Sequence, residues 1–102
     1  MQNDIPAVPE ARVVAFFYPQ LFHLIVPIDS SIQSVADLKG RSFAFVDPTS
    51  ASGHLFPKAG LMAEGFDADK GFSRVIFSGS HDASIMAVAN GKVDAAAVAD
   101  RI

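Results

Sequence analysis

The apolar positions of this chain fall into short blocks separated by turn residues. Val13 to Phe17 and Leu21 to Val26 are rich in Val, Leu, Ile and Phe. Both read as strands, divided by Tyr18-Pro19-Gln20. Met1 to Arg12 is a polar lead-in with two prolines and is read as loose. After the turn Asp29-Ser30-Ser31, Ser34 is placed to cap a short helix over Val35 to Lys39 that Gly40 would end. Ser42 to Val46 is nearly all apolar, as a central parallel strand covered on both faces should be. From about His54 to Glu64, Leu55, Ala59 and Met62 recur at i, i+4, i+7, which predicts a helix with that face inward. Pro57 then lies in the first turn, where its missing N–H costs nothing, and Gly65 closes the helix. Phe66 to Phe72 is a charged connection, and Arg74 to Phe77 is a strand. His81 to Ala89 is a helix with Ser80 as N-cap, Asn90-Gly91 as its stop, and Ile85, Val88 and Ala89 as its apolar face. Lys92 would complement the negative helix end, and Asp94 to Ala99 is a last strand of small residues. Phe43, Phe45, Phe56 and Phe77 are expected in the core.

The order β-α-β-α-β from Ser42 onward predicts an α/β fold with a parallel sheet and right-handed crossovers. Two loops then leave the carboxyl ends of strands, where open α/β sheets bind ligands. The first is Asp47-Pro48-Thr49-Ser50-Ala51-Ser52-Gly53-His54 and the second is Ser78-Gly79-Ser80-His81-Asp82. Each carries small hydroxyl residues into a helix start. Backbone N–H groups there lack intrahelical partners and carry partial positive charge. Small side chains let an oxyanion come close to them. The expectation is one small oxyanion held between the two loops.

Composition narrows this further. The 102 residues suffice for one small domain, and half are hydrophobic, so a packed core rather than disorder is expected. The net charge of −3, without a basic cluster, argues against nucleic acid. It does not argue against an anion, which neutral donors can hold. With no cysteine, disulfides and thiolate metal sites are excluded. The three histidines lack metal-ligand spacing, and no cofactor is expected. No run approaches the ~18 apolar residues of a membrane span. Met1 to Pro6 shows no basic segment followed by an apolar one, so no signal peptide is expected within this chain.

Several linked stretches resemble one family. They are Asp37-Leu38-Lys39-Gly40, Phe43 through Gly53, Gly79-Ser80-His81-Asp82-Ala83, and Ala87 through Ala95. In this order they are similar to the phosphonate/phosphite-binding proteins of ABC transporters, which are type II periplasmic solute-binding proteins. The resemblance runs from about Asp29 to Asp100. It implies a ligand clamped between two lobes. At about one third of the usual length, residues 1–102 would form a single three-layer, parallel-sheet α/β lobe, with the partner lobe absent. Carried over by position, the resemblance makes Ser50 and Ser52 hydroxyl donors to the oxyanion and His81 a further donor, with Ser80 beside it. Thr49, Ala51, Gly53 and Asp82 supply neighbouring backbone. Ala51 departs from the family, where Thr is common. The lost hydroxyl is worth about 0.5–1.5 kcal/mol, somewhat more toward a charged acceptor. Tyr18 and Phe22 are the aromatic residues whose approach to the cleft the sequence leaves open.

The implied function is capture of phosphonate, phosphite or phosphate and presentation to an ABC permease, in the periplasm or cell envelope of the full-length parent. The alternative is a ligand-sensing domain of a signalling or regulatory protein with the same fold. Each site residue also has a plainer reading. Serine is favoured in turns and caps for its own sake. Spacing alone leaves ligand contact and turn chemistry open for Ser50 and Ser52, and the family motif selects contact. A protonated His81 is disfavoured beside a positive helix end, and a bound anion would supply its reason. Asp82 favours the helix start electrostatically. His54 and His23 are not read as ligands: His54 either packs or faces water, and His23 sits in a strand. Ser80-His81-Asp82 holds the residue types of a hydrolase triad, but triad members come from separate elements, and no G-x-S-x-G elbow is present. No catalytic role is expected. A lobe without its partner would expose its cleft face and a sheet edge, so self-association or weak solubility is expected unless a neighbour covers them, together with weak ligand affinity, at best about millimolar.

Overall fold

The computed structural model describes residues 11–17, 22–49 and 54–99. The elements run β1 (Ala11–Phe17), β2 (Phe22–Pro27), a 3-10 turn (Val35–Leu38), β3 (Ser42–Phe45), α1 (Phe56–Ala63), β4 (Arg74–Phe77), α2 (His81–Ala89) and β5 (Ala95–Ala99). They form one sheet in the order β1-β2-β5-β3-β4. β3 runs parallel to both β4 and β5, which is the expected β-α-β-α-β block. β1 and β2 extend it antiparallel, so the sheet is mixed rather than wholly parallel. Only residues 18–21 join β1 to β2. A parallel crossover needs about a dozen residues or more, so so short a link permits only a hairpin.

Alternation along the strands divides the core into two faces. Phe22, Leu24 and Val26 of β2, Phe43 and Phe45 of β3, and Ala95 and Ala97 of β5 share one face with Leu38, Leu61 and Phe66. Ile25, Ala44, Ala96 and Val98 share the other with Ile85, Ala87 and Val88 of α2. The sheet is thus the middle of three layers. Among the described residues no helix is long and apolar enough to cross a membrane.

α1 is shorter than expected and is turned about its axis. It begins at Phe56, and Pro57, Gly60 and Leu61 are its buried residues. Leu55 and Met62 of the expected inner face are 55% and 48% exposed, and Ala59 is exposed too. Gly60 is the reason. A Cβ there would stand 2.6 Å from Cε1 of Phe22, so the helix packs through its one bare position. Phe56 and Phe77, expected in the core, are 50% and 42% exposed. Ala89 of the expected α2 face is half-buried, and Ala87 is buried in its place.

Both helix stops are as the sequence indicates. Gly65 and Gly91 take left-handed backbone, with φ of 88° and 74°. Gly91 N–H donates to Val88 O and Lys92 N–H to Ala87 O, the paired bonds of a Schellman end. Over residues 35–38 the backbone forms a 3-10 turn, which Ser34 enters extended without capping it. Asp37 instead accepts from Gln33 N–H at 3.0 Å.

Residues 1–10 of the expected loose lead-in lie outside the described residues, but Ala11 and Arg12 belong to β1. The Arg12 guanidinium donates to the carbonyls of Ile28, Ser30 and Ile32 at 3.3, 2.7 and 3.0 Å. It thereby pins the turn that follows β2. At the starts of β3 and β5, Ser42 N–H and Oγ both donate to Asp94 Oδ2, and Asp94 N–H donates back to Ser42 Oγ.

Candidate functional site

Because β3 and β4 are parallel neighbours, the loops after them emerge side by side at one edge of the sheet. The ladder continues past the strand ends. Ser78 N–H donates to Phe45 O at 2.9 Å and Gly79 N–H to Val46 O at 2.8 Å. Gly79, at φ 96°, then turns the chain from strand into helix.

The second loop is described in full. Ser80 caps α2, its Oγ accepting from Ala83 N–H at 3.0 Å. That bond uses the oxygen as acceptor and leaves the hydroxyl hydrogen uncommitted by capping. His81 is the first helical residue and is half-buried, while Asp82 is exposed in the first turn, where negative charge suits the helix end. Ser80, His81 and Asp82 thus share one helix start beside the end of β3.

Ser50, Ala51, Ser52 and Gly53 of the first loop lie outside the described residues. The residues on both sides of them are placed. Asp47 Oδ1 accepts from Thr49 N–H and from Thr49 Oγ1, each at 2.9 Å. Both Thr49 donors are therefore turned toward Asp47. On the far side, His54 Nδ1 lies 3.2 Å from Pro48 O. A carbonyl oxygen only accepts, so Nδ1 carries the proton and the bond closes the loop across residues 48–54. The His54 ring stands edge-on to Phe45 and Phe77, with centroids 4.9 and 5.2 Å away. Of the two readings the sequence left for His54, the ring takes the packed one.

The Thr49 N–H, and after it the Thr49 hydroxyl, hold the Asp47 carboxyl below its ordinary value of 3.8. A lowered folded value means the carboxylate stabilises the loop fully above pH 3.8, and the contribution is lost as pH falls through the folded value. Asp47→Asn is expected to be less stable than the parent at neutral pH, with the gap closing in acid as the Asp47 carboxyl is protonated, below pH 3.8. Urea unfolding across that range checks this; a gap that persists in acid would mean that the carboxylate charge is not its source.

The cleft-side aromatics resolve differently. Tyr18 lies outside the described residues. Phe22 is buried in the core, stacked on Phe17 with centroids 4.4 Å apart. His23 lies in β2 against Phe16, and its buried Nδ1 has no hydrogen-bond partner among the described residues. No group of three potential metal ligands occurs among the described residues. A groove of about 740 Å³ opens elsewhere, between β1, the segment before the 3-10 turn and the end of α1. Phe16, Phe17 and Val35 line it with Gln33, Ser34 and Glu64, whose carboxylate would repel an anion. One residue beside the second loop escaped the sequence reading: Ser84, fully buried, with its Oγ 2.6 Å from Ser78 Oγ. Its only sequence signal is a polar residue next to the apolar stripe of α2.

Comparison with known proteins places these loops in context. Residues 9–102 match the family model for the phosphonate periplasmic substrate-binding protein of ABC transporters. Over 73 residues, 66% of the chain, it is 42% identical to the phosphate-import protein PhnD of Mycolicibacterium smegmatis. The chain spans 23% of that relative's length. The structure of PhnD1 from Prochlorococcus marinus in complex with methylphosphonate superposes with a TM-score of 0.62 at 31% identity, covering 89% of this chain and 37% of that one. The periplasmic aliphatic sulphonate binding protein SsuA from Escherichia coli superposes with a TM-score of 0.59 at 26% identity, covering 89% and 30%.

Proposed function

The chain belongs to the family of periplasmic phosphonate-binding proteins of ABC transporters, and on that premise we propose that it forms one lobe of a type II binding protein that captures a small tetrahedral oxyanion. The donors are Ser50 and Ser52 with the backbone of Ala51 and Gly53 on the first loop, beside Thr49, whose own N–H is held by Asp47, and Ser80, His81 and the Asp82 backbone on the second. The ligand is a phosphonate, phosphite or phosphate. Capture by these donors is followed by closure of a partner lobe, which removes the ligand from water and strengthens each polar contact. The closed form then presents the ligand to a permease at the periplasmic face of the membrane.

The observation that carries this reading is the side-by-side exit of the two loops from parallel β3 and β4, with the second running straight into a capped helix start. The role is non-catalytic. Consecutive residues at a helix start project in different directions, and the Ser80 oxygen is already engaged by Ala83 N–H. Exposed Val75 and Phe77 on edge strand β4 favour self-association of an isolated lobe. A clean monomer by light scattering at high concentration would oppose that part.

The direct test is titration of the 102-residue chain with methylphosphonate, phosphite, phosphate and sulfate, followed by NMR. Shifts are expected at Gly79 to Ala83 and at the His81 ring, with affinity of about millimolar order for a single lobe. His81→Ala or Ser52→Ala is expected to weaken binding by about tenfold, the scale of one charge-assisted hydrogen bond. Shifts confined to the groove beside β1, or no response to any of the four anions, would overturn the proposal, as would ester turnover abolished by Ser80→Ala.

A further inference from the structure

Among the described residues Ser84 is the polar side chain in the fully buried set. A buried hydroxyl needs a partner, and the partner it has determines the direction of a proton chain. Ser78 Oγ lies 2.8 Å from Ser80 O. A carbonyl cannot donate, so the Ser78 hydroxyl hydrogen points to Ser80. A serine has one such hydrogen. The 2.6 Å contact between Ser78 Oγ and Ser84 Oγ must therefore run from Ser84 to Ser78. Ser80 O also accepts Ser84 N–H at 3.0 Å, so both lone pairs of that carbonyl are filled. Serine within a helix often bonds back to the carbonyl four residues earlier. Here Ser78 holds that carbonyl, and Ser84 reaches it through Ser78.

We infer that Ser84, acting through Ser78, is a positioning residue that fixes the Ser80 peptide and hence the direction in which Ser80 and His81 present their donors. The inference rests on the oxyanion reading above for what those donors meet, and on the hydroxyl relay for how they are held. Strand-side bonds from Ser78 and Gly79 to Phe45 and Val46 hold the loop on one side, and the relay holds it on the other. Neither serine needs to touch the ligand.

The test compares the 102-residue chain with Ser84→Ala by two readouts. Amide hydrogen exchange is expected to accelerate by about tenfold at Ser78, Gly79 and Ala83 and to be unchanged at Ala96 and Val98 of β5. Equal rates at all of these amides, or acceleration that includes β5, would overturn the inference. Methylphosphonate titration is expected to show binding about fivefold to tenfold weaker in the variant. Binding by the parent with equal affinity in Ser84→Ala would end the positioning role and leave the oxyanion reading intact. No binding by the parent would end the oxyanion reading, and exchange alone would then judge the relay. Ser78→Ala adds a check on the relay, because it strands the buried Ser84 hydroxyl. Its melting temperature is expected below that of Ser84→Ala and recovered in part by the double variant, a non-additive pattern. Additive losses would contradict the relay.

Discussion

Phe45→Ala is expected to destabilise the chain by about 3–5 kcal/mol, the range for deleting a buried aromatic ring. The side chain is 1% exposed at the end of β3. Its ring meets Phe43, His54, Phe77 and Phe72 at centroid distances of 4.9, 4.9, 6.1 and 6.4 Å. One truncation therefore removes a shared contact from four rings, of which Phe43 and Phe77 are carried on strands. Domains of this size have total stabilities at the lower end of about 5–15 kcal/mol, so a large part of the population would unfold. The effect reaches the site as well. His54 rests on Phe45 while closing the first loop, and the Phe45 carbonyl accepts from Ser78 of the second. Phe45→Leu, which refills most of the volume, is expected to cost much less. Urea unfolding of the two variants measures the difference; a loss below about 1 kcal/mol for Phe45→Ala would contradict the central place given to this ring.

Gly71→Ala is expected to cost about 2–3 kcal/mol through overpacking. A Cβ at this position would lie 2.5 Å from Cζ of Phe66 and 2.7 Å from the backbone oxygen of Asp67. The ring can swing, but the carbonyl cannot. It accepts Gly71 N–H at 2.7 Å within a turn that Asp67 Oδ1 also holds through Asp69 and Lys70. Gly71 O in turn accepts Gly40 N–H, so a shift would spread to the start of β3. Gly60→Ala is the informative contrast. Its Cβ would meet only side-chain atoms of Phe22 and Phe17, the nearest at 2.6 Å, and alanine recovers about 1 kcal/mol of helix propensity. Thermal melts should rank Gly71→Ala as the more damaging of the two, and the reverse order would refute the assignment of backbone against side-chain crowding.

Some parts of this architecture were legible because they depend on neighbours in the chain. β4 spans the expected residues Arg74 to Phe77, and Ser80 caps α2 at the expected residue. Both glycine stops carry the positive φ that made glycine diagnostic there. The placement of both loops after parallel strands followed from the same local reading together with the handedness of crossovers. The rotation of α1 was not legible in this way. Leu55, Ala59 and Met62 make a regular apolar stripe, yet the buried side is set by Gly60 against Phe22 and Phe17, and a missing side chain adds nothing to a periodic pattern. Nor was the role of Arg12 legible. Its guanidinium finds the carbonyls of residues 28–32 only once β1 and β2 are paired.

The sequence by itself determined the succession of strands and helices, the Ser80 cap, the glycine stops, and the two hydroxyl-rich turns that point to an anion, since all of these arise from bonds within a few residues. Tertiary structure alone decided that β5 lies between β2 and β3, that α1 presents its glycine to the core, and that Ser84 reaches Ser80 by way of Ser78. These outcomes depend on which surfaces meet after the chain has closed, and a buried hydroxyl or a bare Cα acquires its meaning only from what is packed against it.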